Sequence, residues 1–344
     1  MGKTMIAMSG GVDSSAAALL MQEQGDDVVG VTMHLFGKNA SGNDAEDARQ
    51  VAGHLGIPFR ILDYSEQFRE TIIQSFVDEY LRGRTPNPCV LCNRTMKFDK
   101  LMDAAREMGC DTLVTGHYAR IEFDGEKYRL KKAADESKDQ SYMLYRLTQE
   151  QLSCSRFPLG EYTKDEIRQI AEEKGLVNAR KKDSQDICFV PDGDYARVIE
   201  EVAGRGSEPG PFLDKEGNVI GTHRGIIHYT VGQRRGLGIA DKEPLYVLKI
   251  DPDRNAVILG YKEDLFSRQL DADEFHWISE EPPKEPVKAK AKIRYHHKED
   301  ECTVFPGEGA TAHIEFVRPQ RAITPGQSVV VYAGDMVLGG GYIR

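Results

Sequence analysis

"KTMIAMSGGVDSSAAALLMQEQG", residues 3–25, holds the fold in miniature. "KTMIAM" has the unbroken hydrophobicity of a short buried strand, and "SAAALLMQEQG" reads as an apolar helix closed by a glycine. The link between them is "SGGVDSS". Small side chains there let backbone N–H groups approach an anion closely, and the start of the helix adds positive potential. It is not a Walker A loop, because no Gly-Lys-Ser/Thr closes it. An ordinary turn capped by Asp13 is the plainer reading. It fits the whole heptad, placed after a strand, much less well than a phosphate-holding loop does.

The same cadence continues downstream. "DVVGVTMHL" and "PFRILD" read as strands, with "NDAEDARQVAGHLG" as a helix between them. "EQFRETIIQSFVDEYLRG" and "TMKFDKLMDAAREMG" read as helices that lead into the β-rich "DTLVTGHYA". Strands alternating with helices predict a Rossmann-like α/β domain on a parallel sheet, with ligands at the carboxyl ends of the strands. Near residue 200 the pattern changes to short strands punctuated by Gly/Pro turns, with "DKEGN" and "DPDRNAV" as hairpin signals. "SEEPPKEPVKAKAK" reads as a linker or long turn before a final all-β segment that ends "QSVVVYAGDMVLGGGYI". The expected division is an α/β domain over 1–198, a small β-rich domain over 199–265 and a β-barrel over 266–344.

The chain has 344 residues, a length that suits two or three domains. No basic start followed by an apolar run and no long uncharged apolar stretch is present, which predicts a cytoplasmic protein without membrane spans. A formal net charge of -10 excludes indiscriminate nucleic-acid binding but leaves room for a local basic face. Residues 82–84, Arg94, Lys97, Lys100, 179–182 and 232–236 are candidates for one.

Six cysteines in an intracellular chain point to metal or thiol chemistry more than to a disulfide framework. Cys89 and Cys92 stand out in "TPNPCVLCN", and Cys188 in "DSQDICFVPDGDY". Cys110, Cys154 and Cys302 read as small buried hydrophobes.

"SGGVDSS" resembles the SGGxDS loop of the ATP pyrophosphatase superfamily, whose members cleave ATP between its α and β phosphates and transfer AMP to a substrate oxygen. With "TPNPCVLCNRTMKF", "VTGHYAR", "KDQSYMLYRL", "DSQDICF", "HYTVGQRRGLGIA" and "RYHH" in this order, the chain resembles the tRNA-specific 2-thiouridylase family over essentially its full length. The resemblance implies a pyrophosphate-loop α/β domain, a small central β-rich domain and a C-terminal β-barrel. It implies ATP and Mg2+ as cofactors, tRNA as substrate and an upstream sulfur-relay protein as donor. An amide-forming synthetase would share the loop but needs an ammonia source, and nothing in the chain resembles a glutaminase. A catalytically inactive RNA-binding relative is the other rival. The intact loop and both family cysteines speak against it.

Carried over position by position, the resemblance assigns the nucleotide to Ala7, Met8, Ser9, Gly10, Gly11, Val12, Asp13, Ser14, Ser15, Met33 and Gly116. Asp13 would orient the loop or a Mg2+ ion. It assigns tRNA contacts to Asn87, Pro88 and Cys89, which line the target-base pocket, and to His117, Lys138, Asp139, Gln140, Arg294, Tyr295 and Gln327. Lys and Arg suit phosphates, an aromatic suits stacking and amides suit base edges. Cys92 is the expected nucleophile and Cys188 the expected persulfide carrier, which leaves a Cys92–Cys188 disulfide after each turnover. Lys/Arg-rich surroundings are expected to favour their thiolates.

Many relatives carry aspartate where this chain has Cys89. The three thiols Cys89, Cys92 and Cys188 therefore also resemble the sites of iron–sulfur-dependent tRNA thiolases, in which three cysteines hold a [4Fe-4S] cluster with one iron open to sulfide. Zinc suits the set less, because a structural site wants a fourth protein ligand. Persulfide and cluster-bound sulfide both stay open at this point, as does a Cys89 that is merely tolerated.

Overall fold

The computed structural model describes residues 2–36, 44–181 and 187–344. Its first sheet is built from β1 (Lys3–Ala7), β2 (Asp27–His34), β3 (Phe59–Asp63) and β4 (Thr112–Val114). A hairpin, β5 (Ala119–Phe123) and β6 (Tyr128–Lys132), precedes the last member, β7 (Ser155–Arg156). The sheet order is β3-β2-β1-β4-β7, and every pairing is parallel. The strand order reverses at β1, which lies between β2 and β4. In such sheets ligands bind in the crevice at the carboxyl ends of the strands on either side of the reversal. Residues 8–11 and 115–117 leave β1 and β4 at that crevice.

Helix α1 (Val12–Glu23) is buried nearly all round, because Ala16, Ala17 and Ala18 let the sheet and the helix Lys164–Glu173 come close on both sides. Helix α2 (Asp44–Leu55) covers the same face through Ala48, Val51 and Ala52. Two longer helical stretches each contain a wide turn. Residues 65–81 include a π segment at Arg69–Ile73, and residues 88–107 include one at Asn93–Lys100, directly after Cys92. Pi turns of this kind cluster at functional sites. The second stretch starts cleanly: Pro88 occupies its first turn, and the Asn87 side chain accepts a hydrogen bond from the Cys89 N–H.

A four-stranded sheet follows, made of β8 (Gly210–Leu213), β9 (Val219–His223), β10 (Tyr246–Asp251) and β11 (Ala256–Gly260) in the order β10-β11-β8-β9. Phe212, Tyr229, Val247, Val257 and Leu259 form its core. The helix Tyr195–Ala203 before it runs across position 198 and packs against Phe76 and Tyr80 of the first α/β unit.

The last segment closes into a barrel. Strands β12 (Phe266–Trp277), β13 (Val287–Lys292), β14 (Asp300–Pro306), β15 (Ala312–Arg321), β16 (Ser328–Ala333) and β17 (Met336–Ile343) pair in the order β12-β15-β14-β13-β16-β17, and β17 returns to β12. The expectation of a linker over 279–292 is corrected here, because Val287–Lys292 is a full barrel strand paired on both sides. Its alternation is plain in retrospect: Lys288 and Lys290 are exposed, whereas Ala291 is buried and Ala289 packs on the barrel core. Prolines and charges just upstream hid that pattern.

The barrel does not stand apart from the α/β domain. Hairpin β5–β6 extends the barrel sheet through the pairing of Met336 with Lys131. Tyr142 donates to the Ser328 carbonyl at 2.7 Å, Arg120 reaches Asp335 at 2.9 Å, and Val330, Tyr332 and Val337 share one apolar cluster with Met5 and Val29. Among the described residues no helix is long and apolar enough to cross a membrane.

Candidate active site

The loop after β1 is held from three directions. Gly10 has φ +73°, and a Cβ there would stand 2.3 Å from the Asp44 carbonyl oxygen, so only glycine lets the loop pass under α2. Ser14 Oγ accepts from the Ser9 N–H at 3.1 Å, and the Ser14 and Ser15 hydroxyls donate back to the Gly11 carbonyl at 3.1 and 2.9 Å. Asn178 donates to the Gly10 carbonyl at 3.0 Å and to Ser15 Oγ at 2.8 Å. Lys181 ties α2 alongside, with 2.7 Å contacts to both Asp44 and Asp47. Met8 and Val12 are buried in the core, so they serve the loop through their backbone, and the Met8 carbonyl already accepts from Thr32 Oγ1 at 2.6 Å. Ala7 ends β1, and Met33 ends β2 half-buried between two apolar clusters.

Asp13 lies under this loop. The buried Lys164 ammonium is 2.7 and 2.8 Å from its two oxygens, and Tyr118 donates a further hydrogen bond at 2.9 Å. A carboxylate already neutralised by an ammonium does not fit a Mg2+ ligand, so of its two expected roles the geometry supports orienting the loop. Gly116 closes the crevice from the β4 side, where a Cβ would meet the Asp13 carbonyl carbon and the Ser14 nitrogen at 2.8 Å.

The next residue, His117, faces the other half of the site. Its Nε2 is 3.5 Å from Lys97 Nζ and its Nδ1 is 2.7 Å from Thr115 Oγ1. The ring is buried between Phe98 and Phe157, and burial with the Lys97 charge holds it neutral. It was expected at the RNA surface. The packing instead encloses it, and its link to the cleft runs through Lys97.

Cys89 and Cys188 are exposed and Cys92 is half-buried. All three sense one another electrostatically, and among the described residues Lys97 is a cation acting on each. Neighbouring protein atoms desolvate each sulfur. The expectation that basic surroundings favour their thiolates is corrected. Desolvation outweighs Lys97 and raises Cys92 to about 12, Cys188 to about 11 and Cys89 above its ordinary value. No group of three or more His, Cys, Asp or Glu side chains among the described residues is spaced to hold a single metal ion. Cys110 and Cys302 are buried as expected, and Cys154 is half-buried.

The barrel supplies the far wall. Tyr295 is half-buried and packs beside Tyr142 and His296; burial first, then the charges of Asp139 and Cys89, raise its phenol to about 12. Arg294 donates to the Arg321 carbonyl at 2.7 Å. Two expected RNA contacts are used inside the protein. Asp139 is buried and accepts from the Ala133 and Ser141 N–H groups and the Ser141 hydroxyl. Gln327 donates to the Thr85 carbonyl at 2.8 Å, which fastens the barrel to the start of "TPNPC". Gln140 Oε1 accepts from the Tyr118 N–H at 3.0 Å, and Lys138 sits half-buried on the same turn. Of the basic-face candidates, Arg82 and Arg180 pair with Glu79 and Glu172, Lys181 lies under the loop, and Lys182 is outside the described residues; Arg94, Arg234 and Arg235 are exposed.

Sequence reasoning passed over Lys164, Tyr118 and Asn178. They come from segments far from "SGGVDSS" and carry no spacing signal, because tertiary packing brings in a helix, the end of β4 and a turn from separate parts of the chain.

Family models match the chain in three consecutive parts: a tRNA methyl transferase HUP domain over 2–192, a tRNA methyl transferase PRC-barrel domain over 199–261 and an aminomethyltransferase beta-barrel domain over 267–343. The tRNA-specific 2-thiouridylase MnmA of Acetivibrio thermocellus is 48% identical over 99% of this chain and 99% of its own. MnmA 1 of Caldanaerobacter subterraneus and MnmA of Clostridioides difficile are 50% and 49% identical, each over 99% of this chain and 98% of theirs. Among solved structures, the U34-tRNA thiolase NcsA of Methanococcus maripaludis with its [4Fe-4S] cluster covers 59% of this chain and 70% of its own at 18% identity and a TM-score of 0.38, too distant for its chemistry to bear on this site. Near-complete matches at about half identity, together with a loop and thiol cleft meeting at one crevice, establish that the chain belongs to the tRNA-specific 2-thiouridylase family.

Proposed function

We propose that the chain uses ATP to replace the C2 oxygen of the wobble uridine of tRNA with sulfur, passing that sulfur between Cys188 and Cys92. The observation that carries this reading is the junction at 116–117: Gly116 touches the phosphate loop, and its neighbour His117 touches the lysine of the thiol cleft. One crevice thus serves nucleotide and sulfur together.

In the first step the uridine C2 oxygen attacks the α-phosphorus, and the bond from that phosphorus to the bridging oxygen breaks to release pyrophosphate. The small-residue loop Ser9–Ser15 and the start of α1 favour the phosphates. Lys164, Tyr118 and Asn178 keep the loop in shape. In the second step the terminal sulfur of a Cys188 persulfide attacks C2 and AMP departs with the oxygen. Cys92 thiolate then attacks Cys188 Sγ, the sulfur–sulfur bond breaks, and its electron pair stays with the sulfur on C2. A Cys92–Cys188 disulfide remains, and an external dithiol returns two electrons before the next turnover. The uridine must leave its stack to reach this cleft. We assign the flipped base to Asn87, Pro88, Cys89 and Tyr295, and the flanking phosphates to Lys138 and Arg294. A persulfide-bearing donor protein recharges Cys188, which its exposure permits.

A cluster-bound sulfide on Cys89, Cys92 and Cys188 is the second reading, favoured by three thiols that act on one another electrostatically. Iron analysis of anaerobically reconstituted protein decides it: about four irons per chain would support that reading. The functional test is pyrophosphate release and 2-thiouridine formation with ATP, tRNA and a persulfide donor. An amide-forming synthetase would ignore the tRNA, and a pure RNA binder would release no pyrophosphate.

A further inference from the structure

Lys97 has no role in the steps above, yet the fold aims it with care. It lies five residues beyond Cys92 within the π segment Asn93–Lys100. In an α-helix residues five apart point roughly 140° away from each other, whereas the wider i→i+5 winding returns them to one side. The irregular turn therefore brings Lys97 over the face that carries Cys92. Phe98, the next residue, is buried and makes the wall on which the His117 ring rests.

His117 then fixes the lysine. An ammonium has only donors, so His117 Nε2, at 3.5 Å, must accept. The ring proton consequently sits on Nδ1, which donates to Thr115 Oγ1 at 2.7 Å. Enclosure by Phe98 and Phe157 keeps that tautomer neutral and the ring still. The lysine charge favours ionisation of Cys89, Cys92 and Cys188 alike.

We propose that Lys97, aimed by neutral His117 and Thr115, is the cation that holds the negatively charged sulfur as it passes from Cys188 to C2 and as Cys92 completes the exchange. Through these steps the persulfide's negative charge leaves with AMP, the charge of the Cys92 thiolate ends on the uridine-bound sulfur, the base regains at N3 the proton it lost on adenylation, and no further oxidant is required. A fixed ammonium in a crowded cleft offsets the desolvation that otherwise disfavours that charge. His117 and Thr115 are positioning residues. The proposal rests on the sulfur route given above.

The test compares full-length wild type with Lys97→Met, Lys97→Arg, His117→Gln and His117→Leu. With ATP, tRNA and persulfide-loaded protein in a single turnover, Lys97→Met should keep its pyrophosphate burst and lose 2-thiouridine formation by about tenfold or more, as expected for one nearby charge. Alkylation of Cys92 and Cys188 by iodoacetamide at fixed pH, followed by peptide mass spectrometry, should slow in parallel. Lys97→Arg should recover most of both. His117→Gln, which keeps an acceptor, should exceed His117→Leu. Wild-type sulfur transfer in Lys97→Met, or equal loss of pyrophosphate release and thiolation with unchanged alkylation, overturns the proposal. The alkylation arm needs neither ATP nor RNA. A wild-type protein that failed to thiolate would thus sink the functional reading, while alkylation still judged Lys97.

Discussion

Replacing Gly116 with alanine tests whether the crevice between β1 and β4 is the nucleotide site. The added methyl would stand 2.8 Å from both the Asp13 carbonyl carbon and the Ser14 nitrogen, and 3.1 Å from Asp13 Cβ. Ordinary contact begins at 3.4 Å, so one of the loops must retreat by more than half an ångström. The obstructing atoms are mostly backbone, and the loop that carries them is pinned by Lys164, Tyr118 and Asn178, so the movement is not free. Overpacking of this kind costs about 1–3 kcal/mol. If ATP binds only the undisplaced loop, that cost falls on kcat/KM for ATP as a loss of about 5- to 150-fold, at tenfold per 1.36 kcal/mol. The assay is pyrophosphate release against ATP concentration at saturating tRNA, with a thermal melt to show that the variant folds. Gly53→Ala is the control, because a Cβ there meets nothing within 4 Å. It lies inside α2 and should gain about 0.5–1 kcal/mol of stability with ordinary activity. Gly116→Ala turning over within twofold of wild type at every ATP concentration would refute the placement of the nucleotide.

Cys92→Ser and Cys188→Ser should each bind tRNA and release pyrophosphate while forming no 2-thiouridine, measured by nucleoside mass spectrometry; wild-type thiolation in either sinks the sulfur route. Because burial raises Cys188 to about 11 and Cys92 to about 12, the protonated thiols dominate at neutral pH. Iodoacetamide labelling of the unliganded protein should therefore climb about tenfold per pH unit, with Cys188 levelling off before Cys92; midpoints near 8 would show that the cleft does not desolvate them. Lys164→Met breaks the pair with Asp13 and should lower stability by about 2 kcal/mol, less than a fully enclosed pair because Asp13 is partly open; adenylation should fall with it, and an unchanged melt with full adenylation would show that the pair does not shape the loop. Affinity for tRNA should fall with salt at a log–log slope of about -0.7 to -0.9 per phosphate contact, and a flat profile would remove the basic face from the account.

The alternation of strand and helix, the loop after β1 and the break near residue 200 were legible in the sequence, because each depends on local spacing or on an uninterrupted run of residues. "VKAKAK" was misread as part of a linker, because the prolines beside it disguised a period of two. Other features were decided only when distant segments packed. Lys164 and Asp13 are 151 residues apart, and a helix docking on α1 makes them a pair. Asp139 and Gln327 carry residue types suited to RNA, yet the structure uses one to cap a turn and the other to join the barrel to Thr85. The π winding after Cys92 leaves no mark in composition, and it turns Lys97 toward the face that carries Cys92, where its charge acts on the thiol. Local propensity and pattern select the elements and the chemistry that a loop can hold. Whether a charged or polar side chain faces solvent, a substrate or another part of the chain depends on which distant groups fold against it, since desolvation and pairing are properties of the assembled interior.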